Sequence, residues 1–344
     1  MKKLTDTVLT FLLCTLIFIL IFFSPTARQG AKDGLVMCES IIIPSLLPIL
    51  MLSNLILQSS CSSVFDFLFG GITEKLFRLP RCCAAAVILG LAGGYPAGAV
   101  LTCGLLRQGA IDEATAAKVM RFNFCGGAAF IVTAVGTVCY GSAKTGALLF
   151  AVNLLSSLLP ALGSALFNCG KGKAESVPLY REKPAFFEAM TGAAEAAVKS
   201  IAMMCTYIIL FSSFLKLADP PQWLTPLLEI TNGVCGGTLL PLDYCAFFLS
   251  FGGFCVHFQL MDFLKEMKMK YTEFFFFRLL GALLSILMMK LYLALFPHAV
   301  QTFSNLSSAP VHHFSAGGLS LSLVMIVGCA VIIFDIENRK LKMV

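Results

Sequence analysis

The sequence has little charge for its length. Only 13% of its 344 residues are charged, whereas 58% are hydrophobic, and the mean hydropathy is +0.87. Soluble domains carry about 25% charged and about 45–50% apolar residues. A chain this poor in charge cannot cover itself with a solvated surface. The composition therefore excludes most soluble enzyme classes and predicts a polytopic membrane protein.

The sequence also lacks the motifs of common catalytic and metal sites. It has no H-E-x-x-H, paired-carboxylate, nucleophile-elbow or P-loop pattern, and its 14 cysteines include no C-x-x-C pair. We therefore expect no enzyme activity, no catalytic residue, no metal site and no cofactor. The net charge of +6 comes from short basic clusters between apolar runs. Such clusters set orientation in a bilayer, so they do not indicate a nucleic-acid partner.

A series of apolar segments approaches the length of about 20 residues that crosses the hydrocarbon core of a membrane. The segments are 8–23, 35–57, 82–106, 124–140, 146–168, 196–216, 242–264, 279–296 and 318–335. No good cleavage site follows the first segment, so we expect an uncleaved helix. The predicted location is a cell membrane, with a cytoplasmic N-terminus.

The segment 82–106 is interrupted at its centre by Gly93, Gly94, Pro96 and Gly98. Such a cluster breaks a helix and predicts two half-helices that fold back as a re-entrant hairpin. With this hairpin, nearly every basic cluster faces the cytoplasm, including the loop 107–121 and the basic stretch 265–278 that contains Arg278. The basic residues left outside are Arg28, Lys32, Lys144 and Lys216. If the segment crosses once, most basic residues lie outside, so the positive-inside bias favours the hairpin.

The two halves of the sequence are related by a shift of about 159–160 residues. The matches are Ser40-Ile41 with Ser200-Ile201, Ser53 with Ser213, and Gly93-Gly94-Tyr95 with Gly252-Gly253-Phe254. One span between the copies inverts the second, as in many secondary transporters. Symmetry then favours a second hairpin over 242–264, whereas the basic residues favour a full span there. The orientation of the C-terminal half stays open.

The repeat divides the chain into five parts. They are an N-terminal transmembrane helix (1–27), repeat 1 (28–140), a connecting helix with a basic loop (141–187), repeat 2 (188–296), and a C-terminal helix with a basic tail (297–344). No linker between these parts is long enough to hold a separate soluble domain.

The candidate substrate-binding residues lie at or near the predicted helix breaks. They are Gly93, Gly94, Tyr95, Pro96 and Gly98 at the first break, Asn123 before the segment 124–140, and Gly252, Gly253, His257 and Gln259 at the second. A broken helix exposes backbone amides that bind an anion, although close helix packing explains the glycines equally well. An ionisable group in an apolar segment, such as His257, is commonly functional. A hydrogen-bonded core histidine is the alternative.

Several stretches of the sequence resemble one family of membrane proteins. They are PSLLP at 44–48, LFRLP at 76–80, GLAGGYPAGA at 90–99 and SFGGFCVHFQ at 250–259. These stretches are similar to the YlbJ-type sporulation integral membrane proteins of the nucleoside-recognition (Gate) group. The resemblance covers about residues 30–335. It implies an all-α polytopic fold of two inverted repeats with broken or re-entrant helices, like that of concentrative nucleoside transporters.

The same resemblance implies a role in endospore formation, with dipicolinate as the transported molecule. The segment 124–129 departs from the family pattern, which leaves the substrate open. We predict a permease for a small anionic metabolite. The alternatives are a nucleoside-type transporter and a non-transporting scaffold, although a scaffold gains nothing from weakened spans. The coupling ion and any homo-oligomer stay open.

Overall fold

The computed structural model describes residues 2–167, 184–221, 223–236 and 239–296. All regular secondary structure in these ranges is helical, as the sequence predicts. The predicted basic loop over 168–183 and the predicted C-terminal helix and tail over 297–344 lie outside the described residues.

The helices follow one another with short connections. The first four are α1 (Lys2–Phe22), α2 (Ser24–Met37), α3 (Ile43–Gln58) and α4 (Ser62–Phe77). The next are α5 (Ala84–Gly93), α6 (Ala97–Arg107), α7 (Glu113–Met120), a π-helix (Ala129–Cys139) and α8 (Ala143–Phe167). The remaining ones are α9 (Phe186–Ala218), α10 (Thr225–Leu228), α11 (Ile230–Cys235), α12 (Leu242–Phe251), α13 (Gly253–Glu266) and α14 (Tyr271–Leu295).

Five helical segments of the described chain are long and apolar enough to cross a membrane. They are Ser24–Gln58, Ala143–Gly163, Phe186–Ala218, Leu242–Glu266 and Tyr271–Leu295. A sixth is added if α4 and the helix over Arg81–Gly93, which meet at 106°, count as one span. The predicted first segment corresponds to α1, a helix of 21 residues. The protein is a multi-pass integral membrane protein, as the composition predicts.

The first of these spans contains a short π-helical turn and packs along α9. The turn, Cys38–Ile42, joins α2 to α3 directly before Pro44, so the chain stays helical through this proline. Gly30 of α2 lies so close to α9 that a Cβ atom on it would be 2.5 Å from the Ser212 carbonyl oxygen. Small residues allow this close approach of two backbones, as at many membrane helix pairs.

The helices α5 and α6 form an antiparallel hairpin around residues 94–96. At the open end, the Cys82 thiol donates to the Ala110 carbonyl oxygen at 3.6 Å. Nearer the tip, a Cβ atom on Gly90 would lie 2.8 Å from the Gly98 Cα atom. Arms of 10 and 11 residues are each about 15 Å long, about half of the hydrocarbon thickness. These dimensions suit a re-entrant hairpin, whose position in the membrane stays a prediction.

The second glycine pair does not reverse the chain. Leu242–Glu266 is a single candidate span that is interrupted at Gly252, where φ is +91°. A helical hairpin needs a loop of about 2–5 residues. One residue separates α12 from α13, whereas residues 94–96 separate α5 from α6. The chain therefore continues through this break without the reversal that a hairpin requires, which favours the full span, while the membrane crossing and the inverted relation of the halves stay predictions.

Three ion pairs join the loop 107–121 to the end of α13 and the start of α14. The pairs are Arg107–Glu266, Glu113–Lys268 and Arg121–Glu273, each with an N–O distance of 2.7 Å. Loops in direct contact lie at the same end of a helical bundle. This arrangement agrees with the predicted topology, in which both basic loops face the cytoplasm.

We expect Gln108→Cys to be protected from an impermeant thiol reagent added outside the cell, because the positive-inside bias places its loop in the cytoplasm. Lys268→Cys should be equally protected, because its loop lies at the same end of the bundle. Lys144→Cys should be labelled. The measurement is labelling of intact and permeabilised cells in a background without native cysteines. Labelling of Gln108→Cys in intact cells would contradict the topology.

Candidate functional site

The chain is unwound between α7 and the π-helix. Residues 123–127 are buried but belong to no helix, whereas the sequence predicted one helix over 124–140. Buried backbone groups need hydrogen-bond partners. The Tyr95 N–H donates to the Cys125 carbonyl oxygen at 2.8 Å, and the Gly126 N–H donates to the Asn153 side chain at 3.2 Å. The hairpin tip and α8 thus stabilise the unwound segment.

Two glycines let the hairpin lie directly against the unwound segment. A Cβ atom on Gly94 would overlap the Gly127 backbone, and one on Gly98 would overlap the Asn123 carbonyl oxygen. Gly94 also has φ +81° and ψ −168°, a backbone region that is essentially restricted to glycine. The Asn123 side-chain amide donates to the Ala86 carbonyl oxygen at 2.9 Å. The first break is therefore in contact with Asn123 through Gly98 and with Gly127 through Gly94.

The second break meets the same unwound segment. A Cβ atom on Gly252 would lie 3.0 Å from the Phe124 ring. The Tyr95 ring packs against the same Phe124 ring, and the two ring centroids are 4.9 Å apart. The Tyr95 hydroxyl donates to the Leu249 carbonyl oxygen in α12 at 3.4 Å. The two breaks that the sequence indicated separately are thus joined through Tyr95 and Phe124.

His257 is buried among aromatic rings and hydrogen-bonded through both ring nitrogens. Its Nε2 atom lies 3.0 Å from the Phe251 carbonyl oxygen, and its Nδ1 atom lies 3.1 Å from the Tyr271 hydroxyl. A carbonyl oxygen only accepts, so in the neutral ring Nε2 donates and Nδ1 accepts from the tyrosine. One bond links α13 across the break to the last residue of α12, and the other links α13 to α14.

Arg278 is 1% exposed, although the sequence placed it in a solvated basic loop. Its guanidinium donates to the carbonyl oxygens of Phe124 and Arg121 and lies 4.8 Å from the Phe124 ring centroid. A planar guanidinium combines several donors with stacking on an aromatic face. The signal for its burial is the phenylalanine run at 274–277 directly before it, which places Arg278 within an apolar helix.

Glu229 is a second buried ionisable residue that the sequence motifs did not reveal. It is 1% exposed and lies where α10 and α11 fold back on each other, with Gly233 packed on Pro226. Its carboxylate accepts from the Thr231 and Asn232 backbone N–H groups at 3.0 and 2.6 Å, and from the Asn232 side chain at 2.7 Å. Helices of four and six residues are too short to produce a recognisable periodicity.

Two cavities adjoin the helix breaks. The larger, of about 160 Å³, lies between α6, α9 and α13, and its polar lining residues are Arg107, Lys199, Ser200, Gln259, Asp262 and Glu266. The smaller, of about 20 Å³, has room for about one water molecule. Its polar lining residues are Tyr95, Glu229, Thr231 and Gln259. Met204 and Gln259 line both cavities and form the partition between them.

Three of the predicted substrate-binding residues, Tyr95, Pro96 and Gln259, line these two cavities. The others line neither of these two cavities: Gly93, Gly94, Gly98, Asn123, Gly252, Gly253 and His257. Lys199 lines the larger cavity, and it is in none of the ion pairs within 4.0 Å among the described residues.

The chain is similar to the sporulation integral membrane protein YlbJ of Bacillus subtilis (strain 168). The two sequences are 26% identical, and the similarity covers 78% of each chain. No family model matches the sequence, and no solved structure matches it. The similarity amounts to distant homology with an integral membrane protein whose name refers to sporulation.

Proposed function

We propose that this protein is a permease that carries a small organic anion across the membrane of a spore-forming bacterium. The observation that supports it most is the pair of cavities separated by Met204 and Gln259 and bordered by two helix breaks. Transporters bind solutes near broken helices, where released backbone groups replace water. The distant homology to YlbJ supplies the setting of endospore formation.

The charges of the larger cavity support an anionic solute. Arg107 is neutralised by two hydrogen bonds to Glu266, each 2.7 Å long. Lys199 has no ion-pair partner among the described residues, so its ammonium is available to a solute carboxylate. Asp262 also lines the cavity and would orient an anion towards Lys199 by repulsion. Dipicolinate, which the family resemblance implies, has two carboxylates.

A nucleoside-type transporter is the second candidate. Ser200, Gln259 and the Phe263 ring line the same cavity, and such uncharged donors and acceptors beside an aromatic ring suit a neutral nucleoside. The two candidates differ in what they require of Lys199, because a neutral solute gains little from an ammonium group.

We expect Lys199→Gln to raise the half-saturation concentration for dipicolinate uptake about tenfold, because a hydrogen bond to a charged group contributes about 1.5–3 kcal/mol. The measurement is uptake of labelled dipicolinate and uridine into proteoliposomes. Lys32→Gln is the matched control, since Lys32 is an exposed lysine on another span and lines neither cavity. Uridine preference with no effect of Lys199→Gln supports the second candidate, and uptake of neither solute contradicts a permease.

A further inference from the structure

The carboxylate of Glu229 is unfavourable for any anion that reaches the smaller cavity. Glu229 lines this cavity and is in none of the ion pairs of the described residues. Two negative charges that meet in a cavity of low dielectric repel each other strongly. An anion can therefore pass Glu229 at low cost only when the carboxylate is neutralised.

The hydrogen bonds of Glu229 limit what can neutralise it. A carboxylate offers about four acceptor positions. The three N–H groups of Thr231 and Asn232 occupy three of them, two on Oε2 and one on Oε1. At most one position remains, on Oε1, and the Thr231 side chain also interacts with the carboxylate. Hard metal ions take about six or more oxygen ligands, so this site suits a proton better than a metal ion.

Among the described residues, the groups that interact with Glu229 include no cation that could take the place of a proton. The titratable groups that interact with it are Tyr95 of the hairpin tip, Cys38 of the π-helical turn, Cys235 of α11 and Cys255 of α13. The π-helix adds Cys139, with its sulfur 3.0 Å from that of Cys235. From α9, Met204 and Ile208 line the cavity, and the Ser212 hydroxyl accepts from Asn232.

Gln259 provides a second observation, because it brings an acceptor without a donor in the described part of the chain to the wall of the smaller cavity. Its side chain is 4% exposed, and its Oε1 atom has no hydrogen-bond partner among the described residues. An unpaired buried acceptor beside a buried carboxylate is unfavourable until a donor enters. A protonated carboxyl group, or a water molecule that it orders, supplies such a donor.

We propose that Glu229 is the proton-binding site that couples this permease to the proton gradient. The carboxylate takes one proton from water on the side from which the anion enters, and it becomes a neutral carboxylic acid. It returns that proton to water on the side where the anion leaves. One proton therefore crosses with each solute. This inference rests on the proposed permease function and adds its coupling ion.

The test is dipicolinate uptake into proteoliposomes with a pH gradient of one unit, acidic outside, and with the membrane potential clamped. For one proton per solute, we expect accumulation up to about tenfold, since a one-unit gradient is a tenfold proton ratio. Glu229→Gln should remove the response to the gradient. The matched control is Glu188→Gln, an exposed carboxylate in the first turn of α9, which should respond like the wild type.

Counterflow at equal pH measures the exchange of labelled dipicolinate outside for unlabelled dipicolinate inside. Because this exchange needs a carrier but no pH gradient, it distinguishes failure of this inference from failure of the proposed function. Counterflow without any response to the pH gradient overturns the proton site and leaves the permease standing. Stimulation by Na⁺ in place of protons, or an undiminished response in Glu229→Gln, also overturns it. If Glu229→Gln does not fold, Glu229→Asp retains the acid and should retain the response, and loss of the response in this variant contradicts the proposal.

Infrared titration of the purified protein provides a readout that is independent of transport. We expect a protonated-carboxyl band that appears as the pH falls and is missing from Glu229→Gln or shifted in Glu229→Asp. An identical band pattern in the wild type and these variants overturns the inference even if no solute is transported.

Discussion

Gly94→Val is expected to reduce transport to about a tenth of the wild-type rate or less. The backbone of Gly94, at φ +81° and ψ −168°, is in a region where a residue with a side chain costs about 1–3 kcal/mol, and 1.4 kcal/mol is a factor of ten. The new side chain would also overlap Gly127 in the unwound segment. The measurement is solute uptake per molecule of reconstituted protein.

Insertion of Gly94→Val into the membrane should change little, because insertion rewards apolar residues. Gly71→Val is the matched control: Gly71 lies within α4, and a Cβ atom on it would meet nothing within 4 Å. Gly253→Val should have an intermediate effect, since φ is +72° but the nearest atom to an added Cβ is 3.1 Å away. Equal transport by all three variants would mean that the hairpin tip tolerates any backbone geometry.

Arg278→Met should lower the free energy of unfolding by about 3 kcal/mol or more and stop transport. Hydrogen bonds to a charged group contribute about 1.5–3 kcal/mol each, and this guanidinium makes two, to Phe124 and Arg121. Methionine fills much of the same volume but leaves both carbonyl oxygens without their donor. The measurement is thermal and denaturant unfolding of the purified protein, together with uptake.

Two variants make the arginine test specific. Arg278→Lys keeps the charge but not the planar fork, so it should recover only part of the stability. Arg81→Met removes an arginine whose side chain is 67% exposed and pairs with Glu74, and exposed pairs contribute about 0–1 kcal/mol. If Arg278→Met and Arg81→Met destabilise the protein equally, the buried guanidinium does not support the unwound segment.

The spans and the first helix break could be predicted because their signals are local. Apolar length predicts a crossing helix, and the cluster of Gly93, Gly94, Pro96 and Gly98 disfavours one uninterrupted helix. The three residues that separate α5 from α6 leave room for a reversal. Gly252 and Gly253 look similar in the sequence, but only one residue separates α12 from α13, so the chain continues in a single candidate span.

The rest of the candidate site depends on contacts between distant segments. Arg278 is 154 residues from Phe124 in the sequence, and counting charges treats every arginine as solvated. The unwinding of 123–127 needs partners from the hairpin, α8 and α14, none of which a local pattern can reveal. Glu229 lies between two helices that are too short for periodicity. The sequence therefore indicated the glycines at the helix breaks better than it indicated the residues that line the cavities.

The short arms of α5 and α6 also determine where the membrane voltage would act. If the hairpin lies in the membrane as predicted and water fills the larger cavity, that water would extend to Met204 and Gln259, which line it. The insulating layer is then thinner there than the full bilayer, and the voltage falls mainly across the partition. A potential of 100 mV changes the energy of one elementary charge by about 2.3 kcal/mol. A charged solute would cross most of this drop in one step, so the voltage of the cell would drive or oppose each passage of the partition.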